Sequence, residues 1–115
     1  MTAAALADVK ILDFMWVMAG PAATRVLADY GATVVRVEST RRIDTARTLA
    51  PYRGGALGTN NSGCYQNLNA GKRMLTLDPT CDAGRRYVSG VASKRANGPG
   101  WRTGAPPIGD GTSRQ

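Results

Sequence analysis

VKILDFMWVMAGPAATRVLADYGATVVRVE, residues Val9–Glu38, changes character at each end of a central helical pattern. It opens on a short apolar run, Val9–Phe14, of the length and composition of a strand buried in a parallel sheet. Gly20-Pro21 then marks a helix start, because a proline at the first helical position gives up an N–H that has no partner there anyway. Ala23, Val26, Leu27 and Tyr30 recur at helical spacing and predict one apolar stripe, with Arg25 and Asp29 on the other face. Gly31 stands where a left-handed cap ends the helix. Thr33–Glu38 is β-branched and short, and predicts a second strand. Strand, helix and strand at this spacing predict a right-handed parallel crossover. The fold class is therefore α/β, built on a Rossmann-like parallel βαβ unit, with its ligand-binding edge at the carboxyl ends of the strands.

Outward from this unit the pattern loosens. Residues 39–63 hold four arginines and four glycines among few large apolar groups. They predict a long loop over the sheet, a length that in a compact domain usually carries function or disorder. Cys64–Leu68 predicts a helical turn, Asn69-Ala70-Gly71 a chain reversal, and Arg73–Asp78 a third strand. Asp78 or Thr80 is placed to cap a following helix, with Asp82 in its first turn where negative charge is favoured. Gly84 and Gly90 weaken that helix. Residues 92–115 contain five glycines, three prolines and only Trp101 and Ile108 as large apolar groups. Such a composition does not repay the entropy of ordering and predicts disorder. The chain thus divides into a folded part, 1–84, and a divergent basic Gly/Pro-rich tail, 85–115; the α/β unit is incomplete as a domain.

The 115 residues carry a net charge of +7. Residues 1–84 hold nine Lys/Arg against seven Asp/Glu, leaving +2; residues 85–115 hold six against one, leaving +5. The basic excess therefore lies in the tail, and nucleic-acid binding is the weakest reading of it. The chain has no histidine, and its two cysteines, Cys64 and Cys81, lack metal-ligand spacing. A Cys/His zinc site and Ser-His-Asp or Cys-His catalysis within the chain are excluded by inventory. The N-terminus has no signal-peptide pattern and no membrane span, so a cytoplasmic location with free thiols is expected. No GxGxxG or P-loop pattern supports a dinucleotide or triphosphate site. Asp13 reads first as a carboxylate that caps or pairs locally, and the arginines of residues 36–53 as a solvated face.

KILDFMWVMAGPAATRVLADYGATVVRVE and NLNAGKRMLTLD, residues 10–38 and 67–78, together resemble the class III CoA-transferase family, also called CaiB/BaiF. The agreement is ordered and covers Leu6–Ala83: a V-L-D strand, an A-G-P turn, a helix ending L-x-D-x-G-A, a V-E strand, then N-x-x-K-R-x-x-x-L-D. The resemblance implies acyl-CoA as substrate, no tightly bound cofactor, and interlocked homodimers. It implies transfer of CoA between an acyl-CoA and a carboxylic acid through an aspartyl intermediate, which splits one difficult step into two. The family's aspartate lies beyond the matched motifs, so the chain is read as an N-terminal part, inactive alone. Carried over residue by residue, Met18 and Ala19 match the loop that approaches CoA. Leu77, Asp78, Pro79 and Thr80 match the strand end that meets its adenine end, and Lys72 and Arg73 match the basic pair before that strand. The family arginine after the V-E strand falls on Ser39, and Arg41 or Arg42 takes its place. Basic groups at a strand edge suit the phosphates of CoA through charge-assisted hydrogen bonds. Two alternatives stay open: a non-catalytic CoA- or nucleotide-binding module, and a fragment of the α-methylacyl-CoA racemase branch.

Overall fold

A computed structural model describes residues 4–96. The element order is β1 (Lys10–Asp13), α1 (Ala19–Asp29), β2 (Thr33–Glu38), α2 (Gly63–Leu68), β3 (Arg73–Thr76) and α3 (Asp82–Ala96). The three strands form one open sheet in the order β1-β2-β3. Both pairings are parallel: Asp13 stands opposite Arg36, and Thr76 opposite Glu38. The α/β class and the parallel unit expected from Val9–Glu38 are present, and β2 has the expected limits.

Three details differ from the expectation. Helix α1 starts at Ala19, so Pro21 is its third residue rather than its first. This still lies in the opening turn, where a missing N–H costs no intrahelical bond. The predicted apolar stripe also does not face the sheet: Val26 is 51% exposed and Tyr30 60%. The helix seats on the sheet through Pro21 and Thr24 instead, because Thr24 donates to a carboxylate at the end of β1. Finally, residues 39–63 are not a simple loop. They contain 3-10 turns at Thr45–Thr48 and Arg53–Gly55, and Tyr52 pairs with Ser62 in an antiparallel bridge. Ser62 ties the segment down: its single hydroxyl proton is shared between the carbonyls of Ala46 (2.8 Å) and Leu49 (2.7 Å), while its oxygen accepts from the Tyr65 amide at the start of α2.

Gly31 caps α1 in the left-handed region as expected, with φ of 100°. Asp82 opens α3, and this helix runs through the expected boundary between residues 84 and 85. Of residues 92–115, expected to be disordered, 92–96 continue α3, and those from 97 onward lie outside the described residues. Gly84 is required by packing: an added Cβ would overlap the carbonyl oxygen of Asp78. That contact sets α3 against the end of the β3–α3 turn.

The apolar core is small. Among the described residues, Ala32, Val34, Val37, Ala46 and Tyr65 are the buried hydrophobic ones. Beside them Asp13, Arg36, Glu38, Asp44, Ser62 and Asn69 are also buried. Burying charge is costly unless each group is paired, so the partners of these residues define the interior.

Candidate functional site

The interior polar groups form one connected system under the carboxyl edge of the sheet. At the end of β1, the Asp13 carboxylate accepts from the Met15 amide (2.8 Å), the Thr24 hydroxyl (2.7 Å) and the Lys72 ammonium (3.1 Å). Burial pushes the Asp13 carboxyl up, but these donors outweigh it and hold it below its usual 3.8. The Lys72 ammonium also donates to the Pro21 carbonyl (2.8 Å) and to Asn69 Oδ1 (3.0 Å), which uses all three of its protons. Asn69 Oδ1 accepts from Arg36 as well (2.9 Å), and Arg36 forms a buried ion pair with Asp44.

A second cluster adjoins the first. Arg47 grips Glu38 with two parallel bonds, Nε to Oε1 at 2.7 Å and a terminal nitrogen to Oε2 at 2.9 Å. The Tyr65 hydroxyl donates to Glu38 Oε2 (2.7 Å), and the Asp44 amide donates to Oε1 (3.1 Å). Burial again works against the charge, yet Arg47, Tyr65 and the Asp44 amide bring the Glu38 carboxyl down to about 2. Burial and the Glu38 charge push the Tyr65 phenol up to about 12. Arg47 lies over the Tyr65 ring, 3.7 Å from its centre, and reaches the Thr59 carbonyl and the Asn60 side chain on the 39–63 segment.

Above this cluster, at the carboxyl ends of β2 and β3, opens a cleft of about 440 Å³. Its walls are Glu38, Ser39, Thr40, Ile43 and Arg47 on one side, Thr59 and Asn60 on the rim, and Met74, Leu75 and Thr76 from β3. This is the edge at which open α/β sheets bind ligands, and the volume suits a small organic group.

The expected site residues fall in different places. Arg41 is exposed, and its guanidinium stands 3.6 Å from the Asp78 carboxylate, so the segment after β2 and the turn after β3 come together. Asp78 accepts from the Thr80 amide (2.9 Å) and hydroxyl (2.5 Å), and these bonds lower its pKa. The Leu77 amide donates to the Glu38 carbonyl (3.0 Å), which fixes that turn beside the cleft; Pro79 is exposed there. Met18 and Ala19 sit at the start of α1, both exposed, in the loop after β1. Arg73 is exposed at the amino end of β3, about 10 Å of strand away from Thr76 at the cleft.

Lys72 departs from its expected role. Its side chain and that of Asp13 are 0% exposed, and burial draws the ammonium below its usual 10.5 despite the adjacent carboxylate. A charge spent on three internal acceptors is not offered to a phosphate. Arg36 and Arg47, expected on a solvated face, are instead drawn inward onto Asp44 and Glu38, and Thr24, Asn69, Asp44 and Tyr65 join them with no local pattern of their own. One signal was present: a charged Arg36 inside the β-branched run TVVRVE of a central strand demands a buried anion.

An open parallel α/β sheet with a cleft at its carboxyl edge defines a class of ligand-binding domains rather than one activity. The comparisons narrow it. The sequence profile of CoA-transferase family III matches residues 6–94, reaching beyond the Ala83 limit expected from the motifs. A succinyl-CoA:mesaconate CoA-transferase of Haloarcula hispanica is 41% identical over 81 residues, covering 70% of this chain and 20% of that protein. The succinyl-CoA:glutarate CoA-transferase of Homo sapiens is 34% identical over 88 residues, covering 76% and 19%. Among solved structures, a CAIB/BAIF family protein from Brucella suis superposes with a TM-score of 0.67 at 28% identity, covering 81% of this chain and 24% of that one. A hypothetical protein from Mycobacterium tuberculosis gives 0.64 at 30% identity, covering 78% and 23%. The chain belongs to CoA-transferase family III. It spans about a fifth of the length of the curated relatives it matches.

Proposed function

We propose that this chain carries the CoA-binding edge of a class III CoA-transferase and takes an acyl-CoA thioester as its ligand. The observation that supports this reading best is the meeting of Arg41 with the Asp78–Thr80 turn beside the 440 Å³ cleft. It puts a solvent-facing cation next to apolar walls from Ile43, Met74 and Leu75, the mixture a nucleotide with phosphate charges requires. Met18 and Ala19 approach the same ligand from the β1–α1 loop, and Leu77, Asp78, Pro79 and Thr80 from the β3–α3 turn. Lys72 supports them from within rather than touching CoA, and Arg73 contributes charge from the far end of β3.

The family reaction, transfer of CoA between an acyl-CoA and a carboxylic acid, needs a carboxylate free to attack the thioester. Asp13, Glu38 and Asp44 are buried and saturated with internal donors. We assign no nucleophile within the described residues, and expect the chain alone to bind CoA without transferring it. Its exposed α1 stripe suits the homodimeric assembly the family resemblance implies.

Calorimetric titration of the 115-residue protein with CoA tests the reading. Saturable binding that weakens for dephospho-CoA and at raised salt is the expected result. Absence of heat on a protein with an intact folded-state dichroism spectrum would refute it. Mixing the protein with an acyl-CoA and a free carboxylic acid should yield no exchanged thioester; measurable turnover would show that a carboxylate of this chain reacts.

A further inference from the structure

The loop between β1 and α1 contains a backbone conformation that its residue type resists. Val17 has a φ of 64°, the left-handed region that a β-branched side chain rarely enters. Conformations of this kind persist only where the surroundings impose them. The Val17 amide donates to both oxygens of Asp44, at 3.1 and 3.3 Å, across 27 positions of sequence. The Asp44 side chain is wholly buried and paired with Arg36, and Oδ1 also accepts from the Ala46 amide at 2.9 Å. Two residues earlier the same loop is held by the Met15 amide on Asp13. Lys72, Asn69 and Arg36 join these two anchors in an unbroken chain of hydrogen bonds.

We propose that Asp44 is a positioning residue for the β1–α1 loop. Its carboxylate, oriented by Arg36, holds Val17 in the left-handed conformation and so fixes the backbone of Met18 and Ala19 at the ligand edge. The part of this inference that concerns ligand affinity rests on the CoA reading above; the part that concerns the loop stands on the hydrogen bonds alone. Asp44 touches no ligand. It acts through the path of the chain, and a loop preorganised in its binding geometry saves the ordering cost that a free loop meets on binding.

Amide hydrogen exchange on the full chain, with CoA titration of the same samples, tests the proposal. In Asp44→Asn, exchange at residue 17 should quicken about tenfold, the loss of roughly one net hydrogen bond. The amides of the central strand, Thr33–Glu38, should keep their protection, and CoA affinity should fall by about the same factor. Adding Val17→Gly should restore affinity to within about threefold, because glycine enters the left-handed region unaided, while residue 17 still exchanges fast. A merely structural role for Asp44 gives no such rescue. Unchanged exchange at residue 17 in Asp44→Asn, or an affinity loss that glycine does not recover, overturns the proposal. Should Asp44→Asn fail to fold, Val17→Gly alone decides: wild-type protection at residue 17 supports Asp44 as the anchor, and lost protection assigns the loop geometry to the valine side chain. An unmutated chain that binds no CoA overturns the CoA reading, and the exchange measurements then decide the role of Asp44.

Discussion

Two ends of the same charge inventory behave in opposite ways. Below the cleft, the side chains of Arg36 and Asp44 are 0% exposed, as are those of Lys72 and Asp13. At the β3–α3 turn, Arg41 is 80% exposed and Arg85 pairs with Asp82 in open solvent. Buried pairs cannot dissociate without leaving a naked charge in a low-dielectric interior, so they fix backbone positions. Exposed pairs exchange their partners for water at little cost, so they remain available to an incoming anion. Position in the fold separates the arginines locked onto internal carboxylates from those left facing solvent.

The strongest way to break this contrast is Arg36→Ala. It leaves Asp44 buried without its cation, and a loss of about 3–5 kcal/mol is expected in denaturant unfolding. A variant as stable as the parent would remove the basis for treating the interior pairs as fixed. Acid titration comes next. The Glu38 carboxyl is depressed from its usual 4.5 to about 2 in the folded chain. Its contribution is therefore complete above 4.5 and is lost as the pH falls from 4.5 through about 2. Unfolding curves for Glu38→Gln should flatten across that window, and a slope equal to that of the parent would assign the acid sensitivity elsewhere. Gly84→Ala probes the exposed end, where backbone spacing rather than charge is the constraint. The overlap with the Asp78 carbonyl predicts a loss of about 1–3 kcal/mol, readable in the thermal midpoint. The smallest change in stability is expected for Arg41→Ala, within about 0.5 kcal/mol. That variant should nevertheless weaken CoA binding and flatten its salt dependence; unaltered binding would move the phosphate contact to another cation.

Much of this arrangement was legible before the structure. Val9–Glu38 announced strand, helix and strand because apolar periodicity and Gly/Pro punctuation act locally. β2 keeps the limits its β-branched run implies. The apolar stripe of α1 misled, because its spacing identifies a face without saying which element covers it. Pro21 and Thr24 occupy the sheet-facing side for a reason 11 positions away, the hydrogen bond to Asp13. The adjacent Lys72 and Arg73 looked like one basic pair, yet the first is buried at the entry to β3 and the second points to solvent. Successive side chains of an extended chain point to opposite sides, and that alternation separates them. Asp44 and Tyr65 carried no local signal, since their partners are Val17, Arg36 and Glu38, brought near by the sheet.

The bridge between Tyr52 and Ser62 isolates the tip of the 39–63 segment from the rest of the chain. Gly54 and Gly55 lie in open space, and Leu57 at that tip is 79% exposed. Closing a longer excursion across the same bridge costs only about 0.6 kcal/mol for each doubling of its length. Thr59 and Asn60, on the returning limb, border the cleft. Insertions at Gly55 can therefore redraw the rim of the cleft while the sheet beneath stays unchanged.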